Sequence, residues 1–151
     1  MKVLYARSRG YKGEGVDPHF TLGKTYIVLG VSFRPEGRPA MISIQRDSDN
    51  TPTMAELQYF DIVEPAIPGN WGVFNLGDGR YVIEPQEFRG DFWDRFHDAD
   101  SEAEKTFQQV ISRLEEFHLK SGRLDRDPAF SGLCNVLGRD PAYELINDKS
   151  L

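Results

Sequence analysis

The chain has 151 residues, of which 39% are hydrophobic and 28% charged, a composition that excludes a disordered chain and suits one folded domain over residues 1–151. The net charge of −6 is unevenly spread, because residues 1–46 carry +5, residues 47–104 carry −11 and the remainder is neutral. Such an acidic block repels phosphate, so nucleic-acid binding is disfavoured and a basic protein partner is favoured, unless the acids only keep the protein soluble.

The first two-thirds of the chain predicts short β-strands. "KVLYA" at 2–6 alternates weakly, and "TYIVLGVSF" at 25–33 is rich in β-branched and aromatic residues. "RPEGRP" at 34–39 is a turn cluster, after which residues 40–46 alternate apolar and polar side chains. We therefore predict an antiparallel hairpin in which residues 40–46 pair with the strand before the turn.

Two further strand regions follow. Residues 47–53 predict a loop, and "FDIVEP" at 60–65 predicts a short strand that ends at its proline. "WGVFNLGDGRYVIEP" at 71–85 contains Asp78-Gly79 between two apolar runs, which predicts a hairpin because both residues tolerate positive φ. Several short strands separated by turns indicate a small barrel or a strongly bent sheet.

The pattern becomes helical after residue 85. One apolar stripe is formed by Ala103, Phe107, Val110, Ile111, Leu114 and Phe117. It predicts a helix over 101–121, with Ser101 and Glu104 as a capping box and Gly122 as a stop. Two shorter helices are predicted over 127–137 and 141–147, each opened by an Asp-Pro pair.

These elements together predict an α+β chain. Residues 1–85 would be mainly a small antiparallel β-barrel that ends in the 71–85 hairpin, and residues 86–151 would be mainly C-terminal α-helices. The only cysteine, Cys134, excludes an internal disulfide framework and fits a reducing compartment. The first residues lack the apolar run of a signal peptide, and no stretch reaches the length of a membrane span. We expect a cytoplasmic protein with no membrane partner.

Two stretches carry a resemblance to known proteins, "LGKTYIVLGV" at 22–31 and "YFDIVEPAIPGNW" at 59–71. They resemble small bacterial and phage proteins with SH3-like barrels, in which a Thr-x-Gly-Lys-x-Tyr-x-Val turn enters a strand and a Phe-x-Ile-Val strand closes the barrel. With "FWDRFHDADSEAEKTF" at 92–107, the chain resembles a longer variant, the immunity proteins of bacterial polymorphic toxin systems. The resemblance implies an SH3-like barrel and a role in neutralising a cognate toxin domain.

The main candidate site is the acidic segment that follows the predicted sheet. Its partner-binding carboxylates would be Asp91, Asp94, Asp98, Asp100, Glu102 and Glu104. Trp93 would supply apolar anchorage, as would Trp71, for which a place in the barrel core is an equal alternative. A cationic toxin cleft, such as that of a nuclease, is the complementary surface. This hypothesis requires charge complementarity and no cofactor.

The alternative for the same segment is a small metal-dependent hydrolase that uses His97 with Asp94 or Asp98. The spacing of these residues lacks the glycine of an EF-hand loop and the paired histidines of a zinc site. No nucleophile elbow, phosphate-binding loop or dinucleotide fingerprint occurs in the chain. We therefore predict no enzyme activity and no bound metal.

Two other interpretations remain open. Phe92, Trp93 and Phe96 would anchor a helix to the barrel in any case, and acids at the next helix start are favoured by the helix dipole alone. A barrel adaptor for peptides or nucleic acid would instead use the basic residues Arg7, Arg9 and Lys12.

Overall fold

The computed structural model describes residues 1–8 and 17–124, and the chain divides into two compact units, residues 1–115 and 116–151. The first unit holds every described strand and two 3-10 turns, Leu57–Tyr59 and Gln86–Phe88. The strands are β1 (Lys2–Tyr5), β2 (Thr25–Ile27), β3 (Gly30–Phe33), β4 (Met41–Gln45), β5 (Pro52–Glu56), β6 (Phe60–Glu64), β7 (Trp71–Gly77) and β8 (Arg80–Pro85). The helices are α1 (Phe92–His97) and α2 (Ser101–Leu124), and the α+β class is therefore confirmed.

The strands form two antiparallel sheets. The smaller sheet has the order β2-β1-β6, and the larger has the order β5-β4-β3-β8-β7. The predicted hairpins β3–β4 and β7–β8 are both present, with Val31 opposite Ile42 and Val73 opposite Ile83. The turn after β7 carries positive φ at Gly77, Asp78 and Gly79, as the Asp-Gly signal predicts.

The expected closed barrel is wrong for the described residues, in which the two sheets are open and separately paired. The predicted strand 25–33 is broken at Val28 and Leu29. The amide of Val28 donates to the carbonyl of Met1, just before β1 of the smaller sheet, at 3.0 Å, whereas the amide of Leu29 donates to the carbonyl of Ser43 in β4 of the larger sheet at 2.8 Å. Two successive amides thus form hydrogen bonds on the sides of different sheets. The chain bends at this point, where the sequence pattern predicted one continuous strand.

One strand was missed, because β5 begins at Pro52 inside the predicted 47–53 loop. Proline is tolerated there as the first residue of a strand at the sheet edge. Ala55 then points into the core with Ile42 opposite it, while Met54 lies 44% exposed on the other face. A strand with so little apolar character gives a weak period-2 signal.

Two apolar clusters stabilise the first unit. One lies between the sheets and includes Tyr5, Phe20, Val28, Ile42 and Ile44. The other packs the helices beside the sheets and consists of Leu29, Phe88, Phe92, Ala103, Phe107, Val110 and Leu114. The predicted stripe of α2 therefore faces a core, and its burial fixes which side of the helix meets solvent.

Helix α2 is confirmed at its start and runs slightly past its predicted end. It begins at Ser101 and continues to Leu124, beyond Gly122. The second unit, described by itself, contains the last turns of α2, in which Lys120 pairs with Glu116 at 2.6 Å. His118 lies within α2 and is 2% exposed. The predicted helices 127–137 and 141–147 and Cys134 lie outside the described residues.

Candidate functional site

The acidic segment forms two helices joined by a tight turn, which we call the acidic turn (residues 91–104). Helix α1 ends at His97, and Ala99 adopts a left-handed φ of 56° before α2 begins. The backbone closes this turn through the amide of Asp100, which donates to the carbonyl of Arg95 at 3.0 Å. Stacked rings such as Phe88 on Phe92, with centroids 4.6 Å apart, fix the inner face of α1. The outward side chains therefore stand on an ordered base.

Asp100 caps α2, where we predicted a Ser101–Glu104 box. Its Oδ1 accepts the backbone N–H of Ala103 at 2.9 Å and a bond from Arg95 Nη2 at 2.7 Å. These donors, first the Ala103 amide and then Arg95, hold the pKa of Asp100 below its usual value. Asp100 is thus engaged within the molecule, and the box is wrong by one residue.

The other five acids of the predicted site are exposed. They are Asp91, Asp94, Asp98, Glu102 and Glu104. Among the residues that the structure describes, none of their carboxylates makes an ion pair or a side-chain hydrogen bond. The acidic turn therefore presents five solvated carboxylates, with Lys105 the exposed cation that follows them in sequence.

The basic residues near the N-terminus pair elsewhere. Lys2 meets Glu64 at 3.2 Å, Arg7 meets Asp61 at 2.8 Å, Arg46 meets Asp49 at 2.6 Å, and Lys24 pairs with Asp47. Arg7 also donates to the carbonyls of Gln58 and Phe60, while Arg9 and Lys12 lie outside the described residues. Four of the eight basic residues counted in residues 1–46 thus pair with acids of residues 47–64 and not with the acidic turn.

The two tryptophans occupy different environments. Trp71 is half-buried and packs against both apolar clusters, and its indole Nε1 is buried with no hydrogen-bond partner in the described part of the chain. Trp93 is half-buried on α1, packs against the second cluster, and donates Nε1–H to Glu84 Oε2 at 3.4 Å. Trp71 is thus placed between the cores, whereas Trp93 reaches an open surface.

His97 is exposed and lies beside Trp93, with ring centroids 6.5 Å apart. In the described residues, no hydrogen bond joins it to Asp94 or Asp98. Within the same residues, no three His, Cys, Asp or Glu side chains converge to hold a metal ion. No described helix combines the length and the apolar character that crossing a membrane requires.

The structure also contains a groove that the sequence patterns did not indicate. Its floor is the outer face of the larger sheet, where one cross-strand row runs through Met54, Ser43, Gly30 and Glu84. Two of these four residues are serine and glycine, so little side-chain volume rises above the sheet at the centre of the row. A Cβ at Gly30 would lie 3.3 Å from Cβ of Glu84, so the space beside this carboxylate depends on glycine.

The groove has a volume of about 760 Å³, within the range of ligand and peptide sites. Its walls are mainly apolar and include Phe74, Leu76, Phe88 and Trp93. Arg89 lies on one wall, with its guanidinium 4.8 Å from the centroid of the Phe74 ring. Because these residues come from β7 and from the segment leading into α1, no single stretch of sequence outlines the groove.

Glu84 is the buried acid of this groove, at 9% exposure. Burial raises the pKa of Glu84 from 4.5 to about 7, and the hydrogen bond from Trp93 offsets part of that change. The neighbouring Glu87 behaves differently. Burial acts to raise its pKa, but the bond from Arg113 Nη1 at 2.7 Å brings the pKa below its usual value. Glu84 thus differs from Glu87 in being a buried carboxyl that pairs with no cation of the described residues.

Comparisons with protein-family models, with curated proteins and with solved structures found no match to the chain.

Proposed function

We propose that this chain is a non-enzymatic protein-binding module that neutralises a basic partner protein through its acidic turn. The observation that carries the proposal is the exposure of five carboxylates that no described cation pairs. Carboxylates held in this way create a negative field that accelerates encounter with a cationic surface.

The arrangement of the aromatic residues supports the same function. Phe92 and Phe107 are buried, so α1 and the start of α2 are held against the second cluster. Carboxylates on an ordered base need little rearrangement when a partner docks, which lowers the entropy cost of binding. Trp93 is half-buried at the edge of this base and is the aromatic anchor that we assign to the interface.

The specific form of the proposal is an immunity protein of a bacterial toxin system. It is motivated by the resemblance of residues 22–31, 59–71 and 92–107 to such proteins. The proposal includes that the strands of this chain are related to those of an SH3-like barrel. The bent strand run at Val28 and Leu29, which passes from one sheet to the other, supports that relationship. An immunity protein acts where its toxin would attack, so the cytoplasmic location also belongs to this proposal.

The test is protection by co-expression. Basic toxin-like domains encoded beside this chain's gene are expressed with it, and cell growth and complex formation are measured. We expect one of them to be toxic alone, and to be neutralised in a stable complex with the wild-type chain. The double variant D94K/D98K should lose protection, because it replaces two exposed carboxylates with cations.

The matched control is Q109K/S112K/E115K on the exposed side of α2, which changes the net charge by the same amount away from the turn. It should protect like wild type. Protection that survives D94K/D98K, with both variants folded by circular dichroism, would overturn the proposal.

A further inference from the structure

Glu84 is buried in the groove, and among the described residues no cation pairs with its carboxylate. It is 9% exposed, and its side chain accepts one hydrogen bond, which at 3.4 Å from Trp93 Nε1 is long. A carboxylate has about four lone-pair positions, and the one hydrogen bond that the described residues donate to Glu84 uses only one of them. Burying such a group costs stability unless a donor or cation completes it.

We propose that the groove binds an arginine side chain of the basic partner, with its guanidinium paired to Glu84. The inference deepens the proposed function and rests on it for the source of the arginine. A guanidinium offers two parallel N–H donors to one carboxylate, which suits a single acid at the base of an apolar groove. It is also weakly hydrated and stacks on aromatic rings, whereas an ammonium group loses more hydration on entry.

The walls of the groove match the rest of an arginine side chain. Phe74 and Trp93, both half-buried, supply aromatic surface for the methylene stem and the planar head group. Arg89 already shows this mode of packing, since its guanidinium lies over Phe74 at 4.8 Å. A volume of about 760 Å³ exceeds one side chain, so neighbouring residues of the partner segment also fit.

The groove is continuous with the acidic turn. Trp93 and His97 line it from α1 and are four residues apart, which places them on one side of the helix. Asp94 directly follows Trp93 and Asp98 directly follows His97, so each acid lies roughly 100° further around the helix axis than the groove-lining residue before it. Both acids are exposed and neither lines the groove itself, so they place negative charge next to the groove-lining residues of α1. This charge pattern favours a cationic occupant over a neutral or acidic one.

Arg89 is the opposing charge. It is exposed on the groove wall and makes no ion pair with Glu84 among the described residues. Its repulsion weakens binding of an incoming arginine, so Arg89→Ala should strengthen it. If the peptide were held by apolar contacts alone, Arg89→Ala would instead weaken binding, because the variant loses the methylene stem of Arg89.

The experiment uses the full chain and capped tripeptides, so it does not require the partner. Ala-Arg-Ala and its uncharged isostere Ala-citrulline-Ala are titrated into ¹⁵N-labelled protein above neutral pH. The Trp93 indole signal, assigned with Trp93→Phe, reports on the groove. We expect the arginine peptide to shift it and the citrulline peptide to have little effect. Glu84→Gln should weaken arginine binding about tenfold or more, whereas the control Glu87→Gln should not.

Equal binding of the two peptides, unchanged binding by Glu84→Gln, or no shift with either peptide would each overturn the arginine site. Partner binding then separates the two proposals. Loss of protection with D94K/D98K but not with Glu84→Gln would refute the arginine site and leave the proposed function intact. Protection that survives D94K/D98K would instead refute the proposed function, whatever the peptides do.

Discussion

The indole of Trp93 donates a hydrogen bond to the carboxylate of Glu84 across 3.4 Å, joining α1 to β8. This contact places the acidic turn beside the groove, since Trp93 belongs to the helix of the exposed acids and Glu84 to the groove floor. The exposed negative surface and the buried carboxyl beside it can therefore be tested separately.

Glu84→Gln should stabilise the protein at alkaline pH. The pKa of Glu84 is raised from 4.5 to about 7, so the folded state keeps a proton that the unfolded state loses over this interval. Its contribution to the unfolding free energy is fully present below the ordinary pKa and is lost as pH rises through about 7. The loss is at most about 3 kcal/mol, reduced by solvent screening in the open groove.

Urea unfolding of wild type and Glu84→Gln at about pH 5 and about pH 8 checks this expectation. The free energy of unfolding of Glu84→Gln, relative to that of wild type, should be higher at about pH 8 than at about pH 5. The pH dependence that comes from other carboxyl groups is the same in both proteins and cancels in this difference. A difference that does not change with pH would contradict a raised pKa at Glu84.

Arginine-peptide binding should strengthen as pH rises from about 6 to about 8, because the carboxylate form of Glu84 is the binding form. The charged and titratable groups facing it across the groove are Arg89 and His97, with Trp93 as the hydrogen-bond donor. Titration by NMR at several pH values measures the effect, and His97→Gln tests whether the histidine causes it. The pH dependence should persist in His97→Gln and vanish in Glu84→Gln.

Gly30→Ala should weaken arginine-peptide binding while leaving the acidic turn active. The new Cβ would sit 3.3 Å from Cβ of Glu84 and 3.6 Å from its Oε2, so the carboxylate must move to admit it. We expect a higher Kd for the arginine peptide in the same NMR titration, with the signals of Asp94 and Asp98 unchanged. Wild-type affinity would show that the space beside Glu84 is not used.

The start of α2 should depend on Asp100 and not on Ser101. Asp100→Ala removes the acceptor for the Ala103 amide and the pairing with Arg95, so its urea midpoint should fall. Ser101→Ala should leave the midpoint near that of wild type, because Ser101 is an exposed first residue of the helix. A midpoint that falls for Ser101→Ala and stays at the wild-type value for Asp100→Ala would contradict this assignment of the cap.

The parts of the fold that could be predicted have local causes. Asp78-Gly79 signals its hairpin by backbone preference, and the spacing from Ala103 to Leu114 signals α2 by its apolar stripe. The corner at Val28 and Leu29 could not be read in this way, because it depends on which distant carbonyl accepts each amide. The separation of the two sheets follows from those long-range bonds.

In the candidate site, too, the features with local causes could be predicted and those that depend on long-range pairing could not. Exposure of Asp94 and Asp98 follows from a short helix that buries Phe92, which the sequence indicates. The groove floor at Glu84 depends on the register of β8 against β3 and on the glycine at position 30 of β3. In the sequence, nothing distinguishes Glu84 from the other seven acids of residues 84–104. The burial of such a carboxyl can be predicted only once the register of the neighbouring strands is known.

The rate at which the chain associates with the proposed basic partner, measured by stopped flow at increasing salt, tests most directly whether the acidic turn guides binding. The account predicts a rate that falls about tenfold or more between roughly 0.05 and 0.5 M salt for wild type. It also predicts a comparable loss at low salt for D94K/D98K, with Q109K/S112K/E115K unaffected. Equal low-salt rates for wild type and D94K/D98K would show that the acidic turn does not guide the partner, and would contradict the account.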